Sequence, residues 1–288
     1  MPEEVGAGLT ADRARELGAL AARGRRLVLE SVHAAGAGHV GGPFSAMEIL
    51  VTLYFHTLRI DPARPRLEER DRFVLSKGHS SIALYTVLAM RGFLPEAELA
   101  TFDHLGSRLQ GHPDMTALEG LDMSTGSLGQ GLSVGLGMAL GLRRRGLDGR
   151  VYVLLGDGEC QEGQVWEAAH AASALGAGGL VAIVDQNALP QFAWPGGEPG
   201  EPRRVDLAAR FRAFGWETRE VDGHDVGALA RALLAAPHPV AVVARTVKGH
   251  GVSFMEEDFR WHARVPTADE LARATAELGG EGRTHGDA

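Results

Sequence analysis

The chain has 288 residues, 44% of them hydrophobic and 23% charged, enough for a substantial core and the composition of an ordinary globular protein. Its formal net charge is −8, with no basic run beyond Arg143, Arg144 and Arg145, which argues against a nucleic-acid surface. The opening MPEEVGAGLT has no basic segment leading into an apolar one, the longest apolar run is too short to span a membrane, and the single cysteine, Cys160, excludes an internal disulfide or a cysteine-built zinc site.

A cytoplasmic protein is therefore expected, with Cys160 as a packing residue. Thr10 to Ala35 has helical periodicity, with Thr10 as N-cap and Asp12 in the first turn. The glycine-rich stretch GAGHVGGPFSAMEIL follows, a loop around His39 leading to a helix for which Ser45 and Glu48 have the spacing of a capping box. Arg72 to Ser76, RFVLS, reads as a strand, KGHS as its loop and Ile82 to Arg91 as a helix. STGSLGQG is a second glycine-rich loop. The helix after it, within Leu128 to Leu142, carries five glycines and is expected to pack closely against another backbone.

Strands at 151–155, 180–185, 216–221 and 240–245 then alternate with helices at about 162–175, 205–214 and 225–235. This predicts an α/β fold, a parallel sheet flanked by helices, in one domain over residues 1–288. Pro190 to Arg204 is rich in proline and glycine and long for a connection, so it is expected to be irregular, either a functional lid or partly disordered. The tails, about 1–9 and 277–288, are expected to fray.

The stretch VLLGDGECQEGQVWEAA joins a strand to a helix through a turn bearing Asp157, Glu159 and Glu162, at the sheet edge where ligands of α/β proteins bind. Acids packed this closely call for a positive partner, and a metal ion is the simplest one. The plainer alternative, that carboxylates in a first helical turn suit the helix dipole, covers Glu159, leaves Glu162 open and still sets Asp157 apart. Asn187 follows the next strand, thirty residues on, so the two side chains can meet above adjacent strands. Mg²⁺ takes about six oxygens and commonly keeps water and substrate phosphate among them. Asp157, the Asn187 amide oxygen, the Leu189 carbonyl and a diphosphate would complete such a shell, with Gly156 and Gly158 letting the backbone approach the phosphates.

Gly156-Asp157-Gly158 with Asn187 resembles the diphosphate fingerprint of thiamine diphosphate enzymes. The blocks GHVGGPFSAMEIL, DRFVLSKGHS, LQGHPDM, STGSLGQGLSVGLGMAL, GDGECQEGQVWEAA, AFGWETREVDGHD and KGHGVSFMEED, in this order from about Ala22 to about Glu270, resemble the transketolase family. Their order and spacing are similar to the separate amino-terminal subunit of split bacterial transketolases, a thiamine diphosphate-binding (PP-type) domain.

The resemblance implies Mg²⁺ on Asp157, Asn187 and Leu189. It implies thiamine diphosphate against His79, Gly156, Gly158, Glu159, Asn187 and His262, with Gly126, Ser127 and Leu128 lining its aminopyrimidine ring through backbone groups. His39, His79, His112 and His262 would face the reacting carbon and the sugar hydroxyls, and Glu162 would stand at a subunit contact linking paired sites. Histidine suits this work because its ordinary pKa lies near neutrality. Among the other histidines, His33, His56, His104, His170, His224, His238 and His250 are expected to be structural or solvated, and Lys77 and Lys248 either assist a phosphate or stay in water.

The implied activity is ketol transfer from a ketose donor to an aldehyde acceptor. The partner is a carboxy-terminal subunit carrying the pyrimidine-binding domain and an activating glutamate, in a complex of two copies of each; neither nucleic acid nor membrane is implied. Two other readings remain: the first subunit of a thiamine-dependent 2-oxo acid dehydrogenase, and a non-catalytic α/β binding domain. The sequence departs from the family after the metal-site asparagine: where the family has an aliphatic residue and then an Asp-Gly pair, the corresponding positions here are Phe192 and Ala193, followed by Trp194 and a proline-glycine loop, a change expected either to reshape the acceptor side of the site or to be neutral.

Overall fold

The computed structural model describes residues 9–189 and 205–279. Its sheet is made of β1 (Arg72–Leu75), β2 (Val151–Gly156), β3 (Leu180–Gln186), β4 (Glu217–Asp222) and β5 (Val240–Arg245), in the order β1-β2-β3-β5-β4 and parallel throughout. The apolar runs that make β2, β3 and β5 are buried on both faces, as a parallel sheet covered by helices requires, whereas the edge strand β4 is polar and partly exposed.

The two-residue repeat of a strand divides that apolar content between two cores. Tyr152, Leu154, Val181, Ile183, Val240 and Val242 pack with α1 (Ala11–Ala35), α3 (Met47–Thr52), α4 (Ser81–Arg91) and α8 (Val226–Ala232). Val151, Val153, Leu155, Leu180, Ala182, Val184 and Val243 pack with α5 (Gln130–Arg144), α6 (Gly163–Ala174) and α7 (Leu207–Ala213). Cys160 is buried in the second core, the packing role expected of it.

Helix α5 rides as close to the sheet as its glycines foretold. A methyl group on Gly135 would come within 2.4 Å of Val153 Cγ2, and one on Gly131 within 2.4 Å of Ser76 Oγ. Thr10 caps α1 as expected, its side chain accepting from the Arg13 amide. No helix among the described residues is long and apolar enough to cross a membrane.

Two local expectations are corrected. Ser45 does not cap a helix: it ends the short α2 (Gly41–Ser45), and its hydroxyl donates to Gly42 O at 3.0 Å and Asp185 Oδ2 at 2.6 Å. Glu48 lies inside the next short helix, α3, buried and paired with Arg25 Nη2 and with His224 Nδ1 at 2.9 Å, so its carboxylate serves an ion pair and not a cap. The second correction concerns the carboxy-terminal tail, read as frayed from about 277. Helix α9 (Ala268–Gly279) continues to Gly279, and Glu277 accepts from the Ser253 amide and hydroxyl at 2.7 and 3.0 Å. Residues 1–8 and 280–288, and the 190–204 segment with Phe192 and Trp194, lie outside the described residues.

Candidate active site

Strands β2 and β3 are neighbours in parallel register, Gly156 opposite Asp185, so their carboxyl ends open onto one edge. The Asp157 amide donates to Asp185 O at 3.2 Å, and Asp157 Oδ2 accepts from the Ala188 amide at 2.6 Å. The turns that carry Asp157 and Asn187 are therefore joined directly. Asn187 Oδ1 accepts from the Leu189 amide at 3.2 Å, and Ala188 between them has φ 62°, the left-handed conformation that reverses the chain and brings Asn187 and Leu189 back over the strand end.

Charge gathers beneath this edge. Burial, and then the charge of Asp185, raise the Asp157 pKa, against hydrogen bonds from Gly158 and Ala188 that lower it. Burial would raise Asp185 too, but Lys77 beside it and the hydroxyls of Ser45 and Thr246 outweigh that and hold it low. Lys77 Nζ donates to Asp185 Oδ2 and, at 3.1 Å, to Gly42 O. Lys248 Nζ donates to Leu189 O at 2.6 Å and to His262 Nδ1 at 3.1 Å; burial lowers it to about 8, although Asp157 and Asp185 raise it. Both lysines are 2% exposed, so the solvated alternative for them falls.

Across from the turn stand three of the four expected histidines. The ring centroids of His39, His79 and His262 are 5.1 to 5.2 Å apart in all three pairs. They come from the loop before α2, the loop after β1 and the turn after Phe259, distant in sequence and adjacent here. Burial, then Lys77, push His79 down to about 2; burial, then Lys248, push His262 down to about 3; burial, then His112, lower His39. All three rings are neutral at pH 7. A neutral ring carries one N–H donor and one acceptor, the pattern that suits a hydroxyl-rich ligand, although in His262 the acceptor is engaged by Lys248. Lys248 has no acceptor, so His262 Nδ1 accepts from it and Nε2 carries the proton.

His112 is exposed and lies beside Gly126, where a methyl group would stand 3.4 Å from its Cδ2. Ser127 and Leu128 follow on the surface, as does Glu162, whose Cβ would be 2.7 Å from a methyl on Gly129. This second glycine-rich loop thus adjoins both the histidines and the Glu162 turn.

Glu159 points inward. Burial raises its pKa, and its carboxylate accepts from Ser76 Oγ, the Gly129 amide at 2.8 Å and the Gly156 amide at 3.0 Å, tying the ends of β1 and β2 to the start of α5. The dipole account does not describe that role. The Gly156 amide is bound to Glu159, and the Gly158 amide donates to Asp157 Oδ1 at 2.8 Å.

The residues fit a divalent cation carrying a diphosphate. Asp157 is a half-buried carboxylate pressed by a like charge, and the Leu189 carbonyl accepts from the Lys248 ammonium. Gly42 lets Ser80 and His79 approach the backbone closely: a methyl there would stand 3.1 Å from Ser80 Oγ and 3.7 Å from His79 Nε2. Ser80 Oγ and Thr125 Oγ1 are buried hydroxyls with no hydrogen-bond partner among the described residues.

A second cluster, Glu48, His224 and His250, has donor atoms within 4.8 Å of one another. The two rings stack at 3.6 Å, so their in-plane lone pairs run parallel and do not converge, and Arg25 already neutralises Glu48. This cluster is structural.

The half-buried neutral imidazoles predict acid sensitivity. Their folded pKa values lie below the ordinary value of about 6.5, so the unfolded chain binds more protons and the stability they contribute, full above about 6.5, is lost as pH falls toward their folded values. Each contributes a slope of about 1.4 kcal/mol per pH unit within that window. The melting temperature of the chain is expected to fall steadily from pH 7 to pH 4, and less steeply in a His79→Gln/His262→Gln variant; equal slopes for the two would refute this origin.

Residues 18–285 match the family profile described as transketolase, thiamine diphosphate binding domain. The chain is 41% identical over 263 residues to the 6-deoxy-6-sulfo-D-fructose transketolase subunit of Clostridium sp. (strain MSTE9), covering 90% of this chain and 94% of that one. It is 39% identical over 261 residues to an apulose-4-phosphate transketolase subunit of Phocaeicola vulgatus, covering 89% and 91%. The crystal structure of Pichia stipitis transketolase in complex with sedoheptulose-7-phosphate superposes with a TM-score of 0.84 at 31% identity, over 92% of this chain and 41% of that one. In length the chain thus corresponds to the split subunits and to about two-fifths of the longer enzyme. With an edge built around Asp157 and Asn187, a histidine trio facing it, and a profile match over nearly its whole length, this chain belongs to the transketolase family.

Proposed function

We propose that the chain supplies the magnesium and diphosphate half of a two-subunit transketolase, which moves a two-carbon ketol unit from a ketose donor to an aldehyde acceptor. The observation that carries this reading is the meeting, at one sheet edge, of the joined Asp157 and Asn187 turns with three neutral imidazoles about 5 Å apart. Asp157, Asn187 Oδ1 and the Leu189 carbonyl would hold Mg²⁺. Gly158, His79 and His262 would meet the diphosphate region, with Lys248 beside His262 and Leu189, and Gly126, Ser127 and Leu128 would border the aminopyrimidine ring. Bound thiamine diphosphate supplies the carbon nucleophile and electron sink for breaking the bond beside a ketose carbonyl.

The chain's own residues orient the sugar and handle its protons. His39 and His112 would receive sugar hydroxyls, and the neutral ring of His39 can both donate to and accept from them. Glu162, exposed beside Gly129, would meet the partner subunit, which would bring the activating glutamate. The names of the split relatives, each a transketolase subunit, support a partner of this kind; an assembly with two copies of each subunit and a cytoplasmic location follow from the same reading.

The test is reconstitution. The isolated chain is expected to bind thiamine diphosphate weakly and to transfer nothing. Addition of a carboxy-terminal subunit, Mg²⁺ and cofactor is expected to give ketol transfer from a ketose, and pyruvate is expected to fail as donor. Full activity of the chain alone, or reconstituted turnover of pyruvate in place of ketoses, would overturn the proposal.

A further inference from the structure

Beneath the proposed ligand residues lies a group that the reading above does not use. Asp185 is fully buried at the end of β3, and three side chains from three other segments donate to its carboxylate. Ser45 Oγ of α2 and Lys77 Nζ from the loop after β1 donate to Oδ2, and Thr246 Oγ1 from the end of β5 donates to Oδ1. Its main-chain carbonyl accepts from the Asp157 amide at 3.2 Å. One residue thus ties together α2, the loop after β1, the turn after β2 and the end of β5.

The sequence offsets are regular. Two residues after Lys77 comes His79, two after Asp185 comes Asn187, and two after Thr246 comes Lys248. Lys77 also donates to Gly42 O, which fixes the segment that begins with His39. Each fastening point lies two residues before a residue proposed to face the ligand, so a shift at the carboxylate reaches that residue through a short stretch of chain.

A buried ion pair stabilises a fold no better than apolar side chains of similar volume, and a second carboxylate close to Asp157 adds repulsion. Stability alone does not account for this group.

We propose that Asp185 is the positioning residue of this site: its hydrogen bonds to Ser45, Lys77 and Thr246 set where His79, Asn187 and Lys248 stand relative to one another. The inference rests on the cofactor reading given above. Asp185 itself touches neither cofactor nor substrate.

The experiment uses two variants, each in complex with the partner subunit. Asp185→Asn keeps the shape and removes the charge that holds Lys77. Thr246→Val, nearly isosteric, removes one hydrogen bond and is the gentler change should Asp185→Asn fold poorly. Magnesium-dependent binding of thiamine diphosphate is measured by calorimetry, kcat at saturating cofactor by transfer assay, and the melting temperature alongside. Asp185→Asn is expected to weaken binding about tenfold or more and to lower kcat even at saturation, and Thr246→Val to weaken binding severalfold, the scale of a lost hydrogen bond to a charged group. A purely structural Asp185 would lower the melting temperature while affinity and kcat, measured well below melting, stay at wild-type values in the folded variants; that result would overturn the proposal. A wild-type complex that binds no thiamine diphosphate would instead overturn the cofactor reading, and this inference with it.

Discussion

Asp157→Ala is expected to remove magnesium-dependent binding of thiamine diphosphate from the reconstituted complex, weakening it about a hundredfold or more, and to remove ketol transfer with it. Among the three proposed metal ligands it is the only carboxylate, and a hard divalent cation draws most of its binding energy from such a charge. The fold is expected to survive. The substitution releases two hydrogen bonds, from the Gly158 and Ala188 amides, but it also takes a half-buried negative charge away from Asp185. These effects oppose each other, and a melting temperature within about 5 °C of wild type is expected. Calorimetry with Mg²⁺ and thiamine diphosphate, paired with thermal melts, checks both halves; wild-type cofactor affinity in a folded Asp157→Ala complex would leave the metal assignment without support.

His39→Ala is expected to separate substrate chemistry from cofactor binding. His39 sits within 5.2 Å of both His79 and His262, and of the three it alone is outside the proposed diphosphate contacts. Its loss is expected to lower kcat/KM for a ketose donor by about a hundredfold, in the range of one acid–base or orienting group. Cofactor affinity is expected to stay within about threefold. Because the three rings act on one ligand, a His39→Ala/His262→Ala double variant is expected to lose less than the product of the two single losses. Multiplicative losses would show that the rings act independently.

The alternation of apolar strands and helices was legible because a parallel sheet buried on both faces leaves continuous hydrophobic runs, as in Val151 to Leu155 and Leu180 to Val184. The glycine-rich α5 was legible as well, since glycines in a helix that must still pack announce a close approach. Spacing alone also brought the Asp157 and Asn187 turns together, because one βαβ crossover joins neighbouring parallel strands. The convergence of His39, His79 and His262 was legible only through family resemblance, for no local pattern relates residues so far apart.

The capping-box reading of Ser45 and Glu48 failed because a local spacing carries no information about tertiary partners, and Arg25 and His224 claimed Glu48 from distant segments. The role of Asp185 was missed, although a signal existed. An acidic residue ending a wholly apolar strand, and a lysine just after another, each imply a buried counter-charge. Pairing the two by that rule would have found the Lys77–Asp185 contact.

The position of Asp185 also bears on how the strands find their alignment. In the observed alignment its carboxylate projects on the side of the sheet where Ile183 packs and where Ser45, Lys77 and Thr246 await it. Sliding β3 by one residue would turn it toward Val184 and Leu155, into the opposite, wholly apolar layer, stranding an unmatched ion there and leaving Lys77 without its mate. The ionic lock thus acts as a proofreading device for assembly: a misaligned sheet is penalised most severely where the ligand-bearing turns must end up in order.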